Sequence, residues 1–194
     1  MTLDRRKLLT FLTGGLAGIG ATVAALPFIA SMNKSKHIKV PFYHKKINFP
    51  KLKPGQMMTI PTATGTLYVV KRTPEQIVEL SKNNEDLLDP ASEKSEQPEF
   101  ALNNLRSSRS DIFLSWGRCT HLGCNTSHVS PKDAEHFMHV NFQAGAGFHC
   151  PCHGSMFDSA GRVYKNMPAK RNLDIPNYEF LDDSTIRILD KTVF

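Results

Sequence analysis

The chain has 194 residues, of which 40% are hydrophobic and 22% are charged, and its formal net charge is +6. This length provides for one domain with its own core plus an appendage, and the composition excludes a wholly disordered chain. The sequence pI is about 9.2. The basic residues do not gather with aromatic residues in one stripe, which argues against a nucleic-acid partner and leaves an acidic protein surface or an anionic lipid.

The first thirty residues predict a positively charged head followed by a transmembrane anchor. Residues 1–7 include the run Arg-Arg-Lys, and residues 8–30 contain no charged side chain. About 20 apolar residues in a helix span a bilayer core of about 30 Å. The run is longer than a typical signal-peptide core, which favours a retained anchor, although small residues around Ser31 leave cleavage open. Because a positive flank stays in the cytoplasm, we expect the rest of the chain on the exported side.

The paired arginines of the head also resemble a twin-arginine export signal. That route exports proteins that have already folded, which suits a domain whose cofactor is inserted in the cytoplasm. The other interpretation is that Arg-Arg-Lys is only the positive flank of an ordinary membrane helix.

Beyond the anchor, residues 31–40 predict a flexible polar tether and residues 41–194 predict one small, mainly antiparallel β domain. Thr73 is predicted to cap a helix over 74–82, because its hydroxyl suits the cap and a proline follows it at once. The polar run 83–98 comes next. The predicted strands cover residues 57–60, 66–71, 111–116, 162–164 and 185–189.

Two short loops in the C-terminal half hold all four cysteines and one histidine each. The first loop reads Cys-Thr-His-Leu-Gly-Cys over residues 119–124, and the second reads Cys-Pro-Cys-His-Gly-Ser over residues 150–155. Their glycines permit the tight turns of a loop that folds round a site. Two clusters of cysteine with histidine favour a metal site over scattered structural cross-links.

Three kinds of site are compatible with these loops. Cys119, His121, Cys150 and His153 provide the four ligands of a tetrahedral zinc site. A second interpretation is two plain disulfides with incidental histidines. In the third, the same four residues provide the two cysteines and two histidines of a mixed-ligand iron–sulfur cluster.

The two loops resemble the signature of Rieske iron–sulfur proteins, and nearly the whole chain is similar to the Rieske subunits of bacterial quinol–cytochrome c reductases. The similarity extends to the paired arginines, the anchor, the Arg-Thr-Pro-Glu helix start at 72–75 and the run Asn-Leu-x-Ile-Pro-x-Tyr-x-Phe at 172–180. This resemblance implies a Rieske-type [2Fe–2S] cluster and disfavours zinc and plain disulfides. The implied residues are Cys119 and Cys150 on one iron, His121 and His153 on the other, and a disulfide between Cys124 and Cys152 that clamps the loops.

The resemblance implies roles for the residues around the cluster as well. His153 is expected at the exposed tip, where it hydrogen-bonds the quinol, with His121 as the second exposed ligand. Leu122 is expected to shield the cluster from water. Ser155, next to the turn at Gly154, is expected to donate a hydrogen bond to a bridging sulfide.

Two stretches depart from the family pattern. Phe157 stands where relatives of high potential often carry a tyrosine that donates a hydrogen bond to a ligand cysteine. Since phenylalanine cannot donate, we expect a lower potential than in those relatives. Residues 167–170 read Met-Pro-Ala-Lys in place of the common Gly-Pro-Ala-Pro, which predicts a looser brace beside the cluster.

Two histidine ligands change the charge of such a cluster and its coupling to protons. Two ferric ions, two sulfides and two thiolates sum to zero, whereas four thiolates make the oxidised cluster more negative. Adding an electron to the neutral centre is easier, so the potential is roughly −150 to +300 mV against about −400 mV for plant-type ferredoxins. A ligand imidazole also gains a proton on reduction, so the site takes up an electron and a proton together.

The implied fold is mainly β: a Rieske-type antiparallel β domain with an inserted cluster-binding subdomain at about 116–168, preceded by one transmembrane helix. The implied function is that of an oxidoreductase subunit that takes an electron and a proton from quinol at a b-type cytochrome and swings on its tether. It then passes the electron to a c-type cytochrome and contributes to the proton-motive force. The implied location is the bacterial cytoplasmic membrane, as a single-pass subunit of a dimeric complex with the cluster domain in the periplasm.

Other interpretations stay open at this point. A Rieske-type ferredoxin of an oxygenase is disfavoured by the anchor and by the second cysteine of each loop. A structural zinc protein would contain zinc in place of iron and acid-labile sulfide, so metal analysis distinguishes it. The sequence distinguishes a quinol–cytochrome c reductase subunit less well from a Rieske subunit of another membrane complex, such as arsenite oxidase or a cytochrome bf complex. The remaining histidines near the loops are predicted to be ordinary surface or core residues: His128, His136, His139 and His149.

Overall fold

The computed structural model describes residues 4–32, 45–62, 65–82, 85–134, 142 and 145–189. The chain separates into two compact units, residues 1–39 and residues 40–194. Residues 1–3 of the predicted head and 33–40 of the predicted tether lie outside the described residues.

The first unit contains one long helix, α1 (Arg5–Met32). Its apolar stretch is long and hydrophobic enough to cross a membrane, as the sequence predicts, and its large apolar side chains are exposed. The helix continues through Ser31 and Met32, which the sequence assigns to the tether. Ser31 Oγ donates to the carbonyl oxygen of Phe28 at 2.7 Å, and such a bond satisfies a group that a helix end leaves unpaired.

In chain order the strands of the second unit are β1 (Lys46–Asn48), β2 (Met57–Thr62), β3 (Gly65–Lys71), β4 (Ile112–Trp116), β5 (Ser127–Val129), β6 (Gly147–His149), β7 (Met156–Asp158), β8 (Tyr178–Asp182) and β9 (Thr185–Ile188). In the described residues they form three antiparallel sheets of three strands each, in the orders β1-β9-β8, β2-β3-β4 and β5-β6-β7. A short helix, α2 (Pro74–Leu80), follows the β2–β3 hairpin.

The hydrophobic core lies under the two cysteine loops. Strand β4 is buried at all five positions and pairs with β3, whose middle four residues are also buried. The same core cluster contains Phe148 and Phe157 of the third sheet, together with Cys119 and Cys150. The loops that carry these cysteines therefore grow directly out of packed strands, which keeps their bases rigid.

Helix α2 begins as predicted. The Gln76 N–H donates to Thr73 Oγ1 at 3.2 Å, and the Thr73 N–H donates to Gln76 Oε1 at 3.0 Å, which makes a capping box. The helix ends at Leu80, two residues earlier than predicted. Ser81 Oγ donates back to the carbonyl of Ile77, a local bond that competes with continuing the helix.

The predicted strand at residues 162–164 is wrong. Only Val163 and Tyr164 make isolated β-bridges, to Phe157 and to Leu87. Arg162 instead folds back after the turn that follows β7, and its Nε donates to Asp158 Oδ2 at 2.7 Å. The segment that follows this turn is therefore too short to form a strand.

Candidate metal centre

The first cysteine loop closes on itself between β4 and β5. The N–H of Cys119 donates to the carbonyl of Cys124 at 2.7 Å, and the N–H of Gly123 donates to the carbonyl of Cys119 at 2.8 Å. Gly123 has φ +82°, a left-handed conformation that other residues rarely adopt. Below the loop, the Tyr68 hydroxyl donates to the carbonyl of Thr126, which joins the base of the loop to β3.

The second loop, between β6 and β7, repeats this geometry. The N–H of Cys150 donates to the carbonyl of Ser155 at 2.8 Å, and the N–H of Gly154 donates to the carbonyl of Cys150 at 2.9 Å. Gly154 has φ +75°, so it performs the same turn. Each loop thus begins with a cysteine at its base and carries its histidine on the turn.

Cys119 and Cys150 are free thiols at the bases of the two loops, with exposed fractions of 3% and 1%. Burial raises the pKa of the Cys119 thiol, while the backbone N–H of His121 and the Ser155 hydroxyl lower it and the neighbouring Cys150 thiol raises it further. Both thiols become metal ligands when a cation stabilises the thiolates.

The two loop histidines lie against each other above these thiols. The ring centroids of His121 and His153 are 4.9 Å apart, with the rings nearly perpendicular at 87°. His121 is half-buried and His153 is exposed. Nδ1 of His121 is buried and has no hydrogen-bond partner among the described residues. Buried polar atoms are nearly always satisfied, so this nitrogen suits a metal ligand.

A disulfide joins Cys124 and Cys152, as the resemblance implies, and links the two loops across 28 residues of sequence. Their Cα atoms are 6.6 Å apart. The Sγ atoms of Cys124, Cys150 and Cys152 all lie within 4.8 Å of one another. A disulfide sulfur is not a thiolate, so this group of three is not itself a ligand set. It shows instead that the clamp lies against a free cysteine at the loop base.

A third segment, residues 167–171, contacts both loops. The N–H of Ala169 donates to Ser155 Oγ at 3.0 Å, and Thr120 Oγ1 donates to the carbonyl of Arg171 at 2.6 Å. Lys170, at the position where relatives commonly carry proline, bonds through Nζ to the carbonyl of Met167 at 2.9 Å. The segment therefore bonds to one residue of each loop, and the looser brace stays a prediction.

The other predicted site residues differ in how exposed they are. Leu122 is 72% exposed at the turn of the first loop, and Phe157 is completely buried in β7. His128 packs its ring against Phe148 at 5.7 Å, and burial lowers its pKa. His149 lies in β6, and His136 and His139 lie outside the described residues.

A network of buried charges behind β7 was not predicted. Arg72, Arg106 and Arg162 are each at most 2% exposed, and the carboxylate of Asp158 is completely buried among them. Burial lowers the pKa of Arg72 and of Arg106 to about 10, so both stay charged at neutral pH. Most arginines in proteins are exposed, and no local sequence pattern marks these three as buried.

The Phe157→Tyr substitution is expected to raise the midpoint potential of the bound cluster. The resemblance implies that a tyrosine at this position donates to a ligand cysteine, and such a bond would stabilise the more negative reduced state. A tenfold preference for the reduced state corresponds to about 59 mV for one electron, so we expect a rise on the order of 50 mV. A redox titration of purified protein measures it. Phe157→Leu changes the packing without adding a donor and should give no rise; an unchanged potential in the tyrosine variant would disprove the donor argument.

Small antiparallel sheets that present two disulfide-linked loops, each with a cysteine and a histidine, define the class of Rieske-type iron–sulfur proteins. The described donor set fits such a cluster: two buried thiols, two adjacent imidazoles and an unsatisfied ring nitrogen.

Comparison with known proteins leads to the same class. Residues 50–179 match the Rieske [2Fe-2S] domain family, and residues 2–35 match the ubiquitinol-cytochrome C reductase Fe-S subunit TAT signal. The ubiquinol-cytochrome c reductase iron-sulfur subunit of Allochromatium vinosum is 39% identical over 95% of this chain and 87% of its own length. The subunits of the same name from Bradyrhizobium diazoefficiens and Rhodospirillum rubrum are 31% and 32% identical, over 95% of this chain and 93% and 91% of theirs.

The chain therefore belongs to the Rieske [2Fe–2S] family, among the iron–sulfur subunits of ubiquinol–cytochrome c reductases. Its cofactor is a Rieske-type [2Fe–2S] cluster. The twin-arginine interpretation of the N-terminus is confirmed by the match to the export-signal family.

Proposed function

We propose that Cys119 and Cys150 bind one iron of the cluster and that His121 and His153 bind the other. The observation that carries this assignment is the adjacency of the two imidazole rings, 4.9 Å apart, on matching loops that rise from two buried free thiols. When bound, the cluster supplies a one-electron acceptor that is neutral in its oxidised state. The disulfide between the loops keeps the two pairs of ligands in register.

The exposed ligand His153 is the residue that meets the quinol. Its ring lies at the solvent-facing end of the second loop, whereas the thiols lie beneath it in the core. His153 would accept one hydroxyl proton of the quinol at its ring, so that one electron and one proton of the quinol enter at the same side chain. Leu122, exposed on the neighbouring loop, provides an apolar surface beside it that excludes water when a partner docks.

The exposed tip and the relatives' names support a set of partners for this subunit. The exposed tip docks first against the quinol site of a b-type cytochrome and then against a c-type cytochrome, within a dimeric complex. Helix α1 anchors the chain in the bacterial cytoplasmic membrane, and the basic residues Arg5 and Arg6 remain on the cytoplasmic side. The second unit then lies in the periplasm, where the disulfide is stable.

EPR spectroscopy of isolated membranes, reduced with ascorbate and separately with dithionite, tests this function. A Rieske-type signal with ascorbate is expected if the cluster is of high potential and the donor is ubiquinol. A signal that needs dithionite would keep the cluster but favour a quinol of lower potential, such as menaquinol. Protein with a full metal complement and no signal in either sample would contradict the proposal and favour zinc.

A further inference from the structure

The disulfide and the free thiol Cys150 lie within reach of each other. The Sγ atoms of Cys124, Cys150 and Cys152 are all within 4.8 Å, and Cys119 is not a member of this group. Thiol–disulfide exchange needs only a thiolate, an accessible disulfide sulfur and close approach. In the ligand assignment proposed above, the bound cluster occupies the Cys150 thiolate. An empty site therefore leaves a nucleophile beside the disulfide.

We infer that the empty site rearranges its own disulfide, so that the cluster must be inserted before the Cys124–Cys152 bond is made. In this step the Cys150 sulfur attacks Sγ of Cys124, and the proton lost by the Cys150 thiol is balanced by the one that the departing Cys152 sulfur takes up. The bond between Cys124 and Cys152 breaks, and the Cys152 sulfur leaves as a thiolate that takes up a proton. One disulfide is consumed and one is formed, so no external oxidant or reductant is needed.

The structure favours Cys124 over Cys152 as the sulfur that is attacked. Attack on Cys152 would close a ring over only three residues, with Pro151 restricting the backbone between the two sulfurs. It would also expel Cys124, which is half-buried. Attack on Cys124 instead expels Cys152, which is exposed, and water stabilises the departing thiolate.

The product, a Cys124–Cys150 disulfide, has lost one of the two cysteine ligands and cannot hold the cluster. Export of the folded chain by the twin-arginine route agrees with this order, because the cluster is then inserted where cysteines stay reduced and the clamp closes after export. The bound cluster and the disulfide thus protect each other: the cluster removes the nucleophile, and the clamp holds the ligands.

Disulfide mapping of the full-length protein in detergent tests the inference. The cluster is removed anaerobically with a chelator, N-ethylmaleimide is added at intervals, and linked peptides are identified by mass spectrometry. We expect the Cys124–Cys152 peptide before removal, and afterwards its loss in favour of a Cys124–Cys150 peptide with Cys152 labelled. A Cys124–Cys152 bond that persists, with Cys119 and Cys150 labelled, would overturn the inference. Disulfides of Cys119 that form equally fast would also overturn it, since they indicate exchange through unfolding.

Two matched variants separate this inference from the ligand assignment on which it rests. Cys119→Ser and Cys150→Ser each remove one proposed iron ligand, so both should lose the EPR signal. After oxidation of the purified chains, Cys119→Ser should still yield the Cys124–Cys150 bond, whereas Cys150→Ser should hold Cys124–Cys152 throughout. A surviving EPR signal would contradict the ligand assignment. Identical disulfides in the two variants would contradict the exchange alone.

Discussion

Replacing His121 by alanine is expected to abolish the Rieske EPR signal and the quinol–cytochrome c reductase activity of membranes. The Nδ1 atom of His121 is buried without a hydrogen-bond partner in the described structure, and its ring lies 4.9 Å from that of His153. In the ligand assignment proposed above, removing the imidazole would leave one iron with an open position and a single nitrogen ligand. Such a site admits water, and the cluster is lost rather than altered.

The matched control for this experiment is His128→Ala. His128 is also a half-buried histidine, and it follows the first cysteine loop in β5, but its ring packs against Phe148. We expect this variant to keep its EPR signal. Retention of a normal Rieske spectrum in His121→Ala, or equal loss in both variants at equal protein levels, would show that His121 is not a ligand.

The second large effect is expected from Asp158→Ala, which should lower the free energy of unfolding by about 3–5 kcal/mol. The Asp158 carboxylate is completely buried, and it accepts from Arg162 Nε at 2.7 Å and from the N–H groups of Ala160 and Arg162 at 2.9 and 2.8 Å. Its removal leaves the buried Arg162 without its carboxylate partner and places uncompensated positive charge in the core. Domains are stable by only about 5–15 kcal/mol, so the loss is a large part of the total.

Denaturant unfolding followed by the fluorescence of Trp116, the single tryptophan, measures this loss. Replacing both partners with apolar residues, as in Asp158→Ala with Arg162→Met, should cost less than Asp158→Ala alone, because the buried Arg162 charge is then removed together with its carboxylate partner. Glu79→Gln is the surface control: the Glu79–Lys82 pair is exposed and should contribute about 0–1 kcal/mol. An Asp158→Ala effect as small as that of the surface control would refute the role of the buried carboxylate.

Local sequence patterns determined much of this protein. The uncharged run at 8–30 predicts α1, the Thr73-Pro74 start predicts α2, and stretches rich in β-branched and aromatic residues predict strands β2, β3, β4 and β9 within a few residues. Each six-residue loop contains the cysteines and the histidine from which the sequence predicts a metal site. These features depend on local composition, capping and turn chemistry, which act between residues close in sequence. Strands of three residues, such as β5, β6 and β7, carry too short a pattern to be recognised in the same way.

Only the tertiary structure decided which groups meet. Asn172 donates through Nδ2 to the carbonyl of Asp89, 83 residues away, and the guanidinium of Arg106 reaches the carbonyl of Leu173, 67 residues away. The sequence shows these as an ordinary amide and an ordinary arginine. It shows four cysteines but not that Cys150 lies beside the disulfide, nor that the polar run 83–98 contributes the buried Asp89. Burial of a charge and contact between distant loops depend on how whole sheets pack, because desolvation and close approach are properties of the assembled core rather than of neighbouring residues.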